Sequence, residues 1–284
     1  MDMTIRAYAK INIGLKILNK RDDGYHNIET IFHRINLFDE LRFQDSKELL
    51  LECNNPDIPT DNRNLCIKAA QILQKNYNVP KGVKIILNKN IPIGAGLGGG
   101  SSNAAYVLKC LPKFWGIEIP KDELYQLAFN IGSDVPYFLD KGTAYATGRG
   151  EQLEYFHINI PYWITLVQPR VHISTAWAYT NLKLKPHKQE INLKELLIDN
   201  IEHPEKLRGV IHNDFEDLVF ENHHDIKILK ENLYKQGADF VQMSGSGSSI
   251  YAFFKHENKA REAIRIFSKD FLAYLTEPSF LPSQ

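Results

Sequence analysis

Between Ile91 and Ala104 the chain reads IPIGAGLGGGSSNA, with five glycines in the seven residues from Gly94 to Gly100. Glycine loses more backbone entropy on ordering than any other residue, so so dense a run implies bare peptide that something must approach closely. The run follows Val83–Leu87, an apolar strand-like stretch, and precedes Ala104, Val107, Leu108 and Leu111 at helical spacing. The fold must therefore deliver a strand, an open loop and a helix N-terminus in succession. The first amides of a helix lack intrahelical acceptors and carry partial positive charge, and the glycines ahead of it leave further amides uncovered. An anion site is the natural use of that arrangement; a bare hinge is the bland one.

Two familiar phosphate loops can be weighed against it. GAGLGG (94–99) formally matches G-x-G-x-x-G, but a dinucleotide unit also needs an acid ending a second strand about 20 residues on. Phe114–Glu123 contains acids without a convincing buried strand. A Walker loop needs a lysine just before the Ser/Thr, and none precedes Ser101. A phosphate cradle of another design is left.

Thirty-four Lys and Arg balance thirty-four Asp and Glu, so no global positive field is available to hold a polyanion, and no nucleic-acid partner is expected. Any anion must be held locally. Cys53, Cys66 and Cys110 fit neither a disulfide framework nor a zinc spacing, which suggests a reducing cytoplasm. No apolar run approaches the ~20 residues that span a bilayer, so a soluble, cytoplasmic protein without membrane partners is expected.

At ~150 residues per domain, 284 residues suggest two domains. The expected boundary lies near His157–Pro161, dividing the chain into 1–157 and 158–284. Thr4–Leu18 alternates, placing Ala7, Ala9, Ile11, Ile13, Leu15 and Ile17 on one strand face. Further strands are expected at 31–43, 48–53, 83–87, 163–168, 239–243 and 249–254. Helices are expected at 60–76, 103–111, 121–130, 205–222, 223–236 and 257–272. Strands and helices mix without strict alternation, which favours an α+β fold.

GAGLGGGSSNAA resembles the phosphate-binding motif of the GHMP kinases. Two further motifs of that superfamily have counterparts in AYAKINIGL near the N-terminus and MSGSGSSIYAFF near the C-terminus, with GSDVPYFL between them. The four stand in the family's order across nearly the whole chain. RDDGYHNIETIF, PTDNRNLC, GTAYATGRGE, STAWAY and NDFE further resemble the branch that phosphorylates the 2-hydroxyl of a cytidine-diphosphate-linked methylerythritol in the non-mevalonate isoprenoid route. The resemblance implies a two-domain GHMP kinase fold with the active site between the domains. It also implies a left-handed βαβ crossover, against the usual right-handed preference, and a small-molecule substrate with ATP as co-substrate.

From the residues alone, Asp134 sits at a tight Gly132-Ser133 turn before Pro136, where it either projects into a cleft or caps the following helix. The resemblance implies the catalytic role, orienting the acceptor hydroxyl and taking its proton. It also places Lys10 beside Asp134, although a lysine on a strand is more often solvated. For the nucleotide it implies Pro92, Ile93, Gly94, Ala95, Gly96, Leu97, Gly98, Gly99, Gly100, Ser101 and Ser102 as the phosphate loop, with Asn64, Leu65 and Lys89 around adenine and ribose. For the acceptor it implies Asn12, Tyr25, His26 and Phe32, with Tyr25 and Phe32 as faces for a pyrimidine, plus Thr175 and Tyr179, one helical turn apart. Aromatics flanking a turn are otherwise more often core. Magnesium is expected with the nucleotide, without an identifiable carboxylate ligand. Ser248-Ser249 departs from the Pro-Thr common among relatives. His223-His224 reads as a solvated helix end and not a metal site. Monomer and homodimer both fit.

Overall fold

The computed structural model of the chain describes residues 3–184 and 192–282. In chain order the elements are β1 (Met3–Lys20), β2 (His26–Gln44), β3 (Leu49–Cys53), α1 (Leu65–Asn76), β4 (Val83–Asn88), α2 (Gly99–Trp115), α3 (Lys121–Ile131), β5 (Thr143–Thr147) and β6 (Gln152–Phe156). There follow β7 (Trp163–Gln168), α4 (Thr175–Asn181), α5 (Leu193–Asn200), α6 (Pro204–Val210), α7 (Phe215–Asn222), α8 (His224–Lys235), β8 (Phe240–Met243), β9 (Ile250–Phe254), α9 (Glu257–Phe267) and β10 (Leu272–Thr276). A 3-10 turn covers Pro136–Leu139. One sheet runs β3-β4-β2-β5-β6 with β1 paired to β2; the other runs β10-β7-β9-β8. The pairs are antiparallel except β3 with β4, which α1 connects.

The strand β1 is buried on both sides from Ala7 to Ile17. Its apolar residues do not share one face, as simple alternation predicts. Register shifts lie between Tyr8 and Lys10 and between Ile13 and Leu15. Each slip of one residue turns the side-chain set over. Ala7 therefore joins the core beneath α1 and α2, Ala9, Ile11 and Ile13 join a second core, and Leu15 and Ile17 a third. Gly14, at φ 71°, stands at the second shift. The second core takes Ile11 and Ile31 from the first sheet and Ile164 and Phe253 from the other, so the two halves are fused along β1.

Other departures from the sequence reading have local causes. The helix expected at 103–111 runs from Gly99 to Trp115, because Gly98 turns into it left-handed at φ 67° and Pro112 sits in its last turn. The expected helix at 205–222 is broken at Asn213, whose side chain donates to the carbonyls of Met243 and Gly245, both at 2.8 Å. The strands β5, β6 and β10 and the helix α5 were not expected. The helix expected to run to 272 stops at Phe267, and β10 then pairs with β7.

On β2, His33 is buried and shares a 2.8 Å hydrogen bond with the Thr143 hydroxyl. Burial pushes its pKa down to about 4. Unfolded histidine titrates near 6.5, so between about 6.5 and 4 the unfolded chain binds a proton that the folded chain refuses. Stability contributed by neutral His33 is complete above that window and is lost as pH falls through it, to a limit of about 3 kcal/mol. His33→Gln is expected to flatten the fall in urea midpoint between pH 7 and pH 4.5; an unchanged slope refutes the assignment.

Candidate active site

One cavity of about 750 Å³ is lined by β1, the β1–β2 turn, the glycine loop, the Ser133-Asp134 corner, α4 and the Gly245-Ser246 turn. Its construction begins with the backbone of β1. The amide of Lys10 donates to the carbonyl of Leu97 at 3.0 Å, tying the strand to the glycine loop. The amide of Asn12 donates to the Ser244 hydroxyl at 3.1 Å, and that hydroxyl donates to the carbonyl of Gly96 at 2.9 Å. A single buried serine thus joins the three glycine-bearing or strand motifs. The contact requires glycine: a Cβ on Gly96 would lie 2.0 Å from the Ser244 carbonyl oxygen, and φ is 76°.

At the loop's far end α2 begins after Gly98, with Gly99, Gly100 and Ser101 against the cavity. Ser102 is different: it is buried, its hydroxyl donates to the carbonyl of Tyr8 at 2.8 Å and its amide donates to Gly98. It builds the helix and does not face the cavity. Pro92 through Leu97 line the cavity as the sequence suggested, as does Leu65. Asn64 does not; its side chain caps α1 by accepting from the Cys66 amide and donates to the Pro59 carbonyl, both at 2.8 Å. Lys89 reaches the lining, but its ammonium is held 2.8 Å from the buried carboxylate of Asp39, and burial lowers its pKa despite that partner.

Beside the glycine loop, Lys10 and Asp134 meet. The ammonium lies 3.4 Å from Asp134 Oδ2, with the lysine side chain 5% exposed and the aspartate 32%. Lys10 also donates to Asn12 Oδ1 and stands 4.8 Å from the centre of the Phe32 ring. The Asn12 amide nitrogen donates to Thr30 at 2.9 Å, which fixes the orientation of its oxygen toward Lys10. This lysine is not solvated as a strand lysine usually is. Asp134 makes no helix cap either: the residue entering the 3-10 turn is Val135, and no side chain caps it. The turn is held from below by Arg34, which donates to the carbonyls of Phe138 at 3.1 Å and of Asp140, and which pairs with Lys10 in the β1–β2 register.

At the other end, the His26 and Tyr179 rings stack at 5.0 Å, and Tyr179 meets Phe215 edge-on at 4.9 Å. Burial, with Lys20 adding, lowers the His26 pKa. Thr175 and Tyr179 both line the cavity, and the Thr175 hydroxyl is 3.0 Å from that of Ser246. Tyr25 and Phe32 do not form two open faces. Phe32 is 1% exposed and floors the cavity beneath Lys10, while Tyr25 is exposed with the Arg149 guanidinium 3.5 Å from its ring centre. Arg149, Ser133, Ser246 and Phe215 line the site without having been singled out from the sequence. The signal was present for all four, in the GTAYATGRGE, GSDVPYFL, MSGSGSSIYAFF and NDFE motifs. The site can grip an anion on backbone amides at one end and present a carboxylate and an ammonium at its centre. Among the described residues no three carboxylate, histidine or cysteine side chains cluster to hold a metal, and no helix is long and apolar enough to cross a membrane.

Comparison with known proteins bears on the family and the fold. Residues 64–142 match the GHMP kinases N terminal domain and residues 193–273 the GHMP kinases C terminal. The chain is 43% identical over 280 residues to the 4-diphosphocytidyl-2-C-methyl-D-erythritol kinase of Chlorobium phaeobacteroides (strain BS1), covering 98% of each chain. It is 42% identical to that of Pelodictyon phaeoclathratiforme, covering 99% of each. A crystal structure of 4-(cytidine 5'-diphospho)-2C-methyl-D-erythritol kinase superposes with a TM-score of 0.82 at 29% identity, covering 99% of this chain and all of that one. Homoserine kinase from Cytophaga hutchinsonii, at 16% identity and TM-score 0.67, shares the fold. The chain is thus a member of the GHMP kinase superfamily, within the family of the 4-diphosphocytidyl-2-C-methyl-D-erythritol kinases.

Proposed function

We propose that the protein transfers the γ-phosphoryl group of ATP to the 2-hydroxyl of 4-diphosphocytidyl-2-C-methyl-D-erythritol, with Asp134 and Lys10 as the reacting pair. The observation that carries this reading is the 3.4 Å approach of Lys10 to Asp134 in the cavity, with the Lys10 side chain packed against Gly98 of the glycine loop. Phosphoryl transfer needs positioning and charge stabilisation more than covalent help. The amides of the loop and the first turn of α2 take the phosphates. Asp134 orients the acceptor hydroxyl and receives its proton as the new O–P bond forms and the bond to the β-phosphate oxygen breaks, releasing ADP. Lys10 stabilises the charge that develops on the acceptor oxygen and the moving phosphoryl group. His26, Tyr179 and Tyr25 take the base, and Asn12 and Thr175 the polar groups between.

Bound with the nucleotide, magnesium would supply neutralisation of the phosphate charge; it favours phosphate oxygens and water over an all-protein cage. The Ser101 hydroxyl and the Asp134 carboxylate, both lining the cavity, are the side chains that would hold it. An ADP-release assay run in parallel with the cytidine-diphosphate alcohol, homoserine and mevalonate tests the reading. Turnover is expected on the first alone; its absence there, with turnover on either of the others, would sink the assignment.

A further inference from the structure

We infer that Arg149 holds the diphosphate bridge of the acceptor, and so acts as the residue that makes a cytidine diphosphate, and not merely a cytidine, the ligand of this site. The inference rests on the acceptor proposed above. That acceptor is linear: base and ribose at one end, the reacting alcohol at the other, and two phosphates between them. Arg149 occupies the corresponding place among the lining residues. Its guanidinium stacks on Tyr25 at the base end, 3.5 Å from the ring centre. Its Nη2 donates to the Ser133 hydroxyl at 3.3 Å, next in sequence to Asp134 at the alcohol end. Arg149 thus spans the base end and the reacting carboxylate, where the bridge must lie.

The guanidinium lies against the Tyr25 and Phe129 rings, but among the described residues its charge has no carboxylate partner within ion-pair distance. Glu151 accepts from the Arg149 backbone amide, and Asp23 is paired with Arg21 at 3.0 Å. The Nε–H is shielded from solvent and has no acceptor in the protein. Nη2 turns to Ser133, which leaves Nη1 as the donor open to a phosphate oxygen, and stacking on Tyr25 fixes the guanidinium plane at little entropic cost. The short β5–β6 connection supports it: Gly148 and Gly150 flank it at φ 66° and 109°, so the backbone turns tightly enough to aim the side chain inward.

The test separates this role from bracing of Tyr25 and from the acceptor assignment itself. Calorimetric affinities for cytidine and for cytidine diphosphate are measured on the wild type, Arg149→Gln and Arg149→Lys, with folding checked by thermal melting. The wild type is expected to bind the diphosphate about 10–100-fold more tightly than the nucleoside, the range of a charge-assisted contact. Arg149→Gln is expected to remove most of that ratio, and Arg149→Lys to keep part of it. In turnover, KM for the acceptor rises while kcat and KM for ATP hold. Equal weakening of cytidine and its diphosphate in Arg149→Gln overturns the inference and leaves Arg149 a brace for Tyr25. A fall in kcat with KM unchanged overturns it in favour of a role at the transferred phosphoryl. Failure of the wild type to bind either ligand removes the acceptor reading, and this inference with it.

Discussion

Asp134→Asn is expected to lower kcat by about 10²–10⁴-fold, the usual contribution of a positioned general base, while ATP still binds and the fold is kept. The substitution preserves volume at a half-exposed corner whose backbone is fixed by other groups: the Val135 amide donates to Gly132, and Arg34 holds the carbonyls of the 3-10 turn. It leaves the Lys10 ammonium, 5% exposed, beside Asn12 Oδ1 and the Phe32 ring without its carboxylate. Lys10→Met should therefore also lose turnover, and the double variant should be little worse than either single one, because the two groups act as a unit. ATP titration and circular dichroism complete the comparison. Retained turnover in Asp134→Asn, or additive losses in the double variant, would dismantle the proposed pair.

Much of this site could be read before any fold was known, and the reason is local. The glycines from Gly94 to Gly100 answer to a backbone requirement, visible at Gly96, where any side chain would meet the Ser244 carbonyl. Such requirements are written in consecutive residues. The strand–loop–helix succession around them is equally local, and so is the turn that presents Asp134. What could not be read depends on who the distant neighbour is. Period-two alternation in β1 predicts one apolar face, but β2 imposes two register shifts that send Ala7, Ile11 and Leu15 into different cores. Within residues 4–18 only Gly14 hints at a slip, and nothing marks the shift between Tyr8 and Lys10.

The same distinction sorts the residues of the site. The resemblance implies nucleotide contacts for Ser102 and Asn64, yet each spends its side chain on the scaffold, Ser102 on Tyr8 and Asn64 on the cap of α1. Motif membership identifies the segment, and only packing tells which side chain faces the ligand. Arg149 illustrates the converse. It lay within a recognised motif, but its proximity to Tyr25, 124 positions earlier, follows from β5 pairing with β2, Thr30 opposite Ala146 and Phe32 opposite Ala144. Strands as short as β5 and β10, five residues each, carry too little alternation to be read alone.

Asp39→Ala is expected to cost about 3–5 kcal/mol of stability, the range for removing one partner of a buried ion pair. Asp39 is fully buried, and its carboxylate accepts from the Lys89 ammonium at 2.8 Å, from the amides of Asn90 and Ile91 at 2.7 and 2.8 Å, and from Asn103 Nδ2 at 2.9 Å. The donors come from both sides of the glycine loop, Ile91 just before it and Asn103 in the first turns of α2. One carboxylate on β2 therefore sets the span over which five glycines must close. Two consequences can be separated. The uncompensated Lys89 charge accounts for most of the lost stability, so Asp39→Ala with Lys89→Met should recover a large part of it in urea unfolding. The loop geometry is not restored by that second change, since the amides of Asn90 and Ile91 and the Asn103 side chain remain without their acceptor. KM for ATP should therefore stay raised in the double variant while its fold is repaired. If stability and KM for ATP recover together, Asp39 serves only to neutralise Lys89, and the glycine loop holds its shape without it.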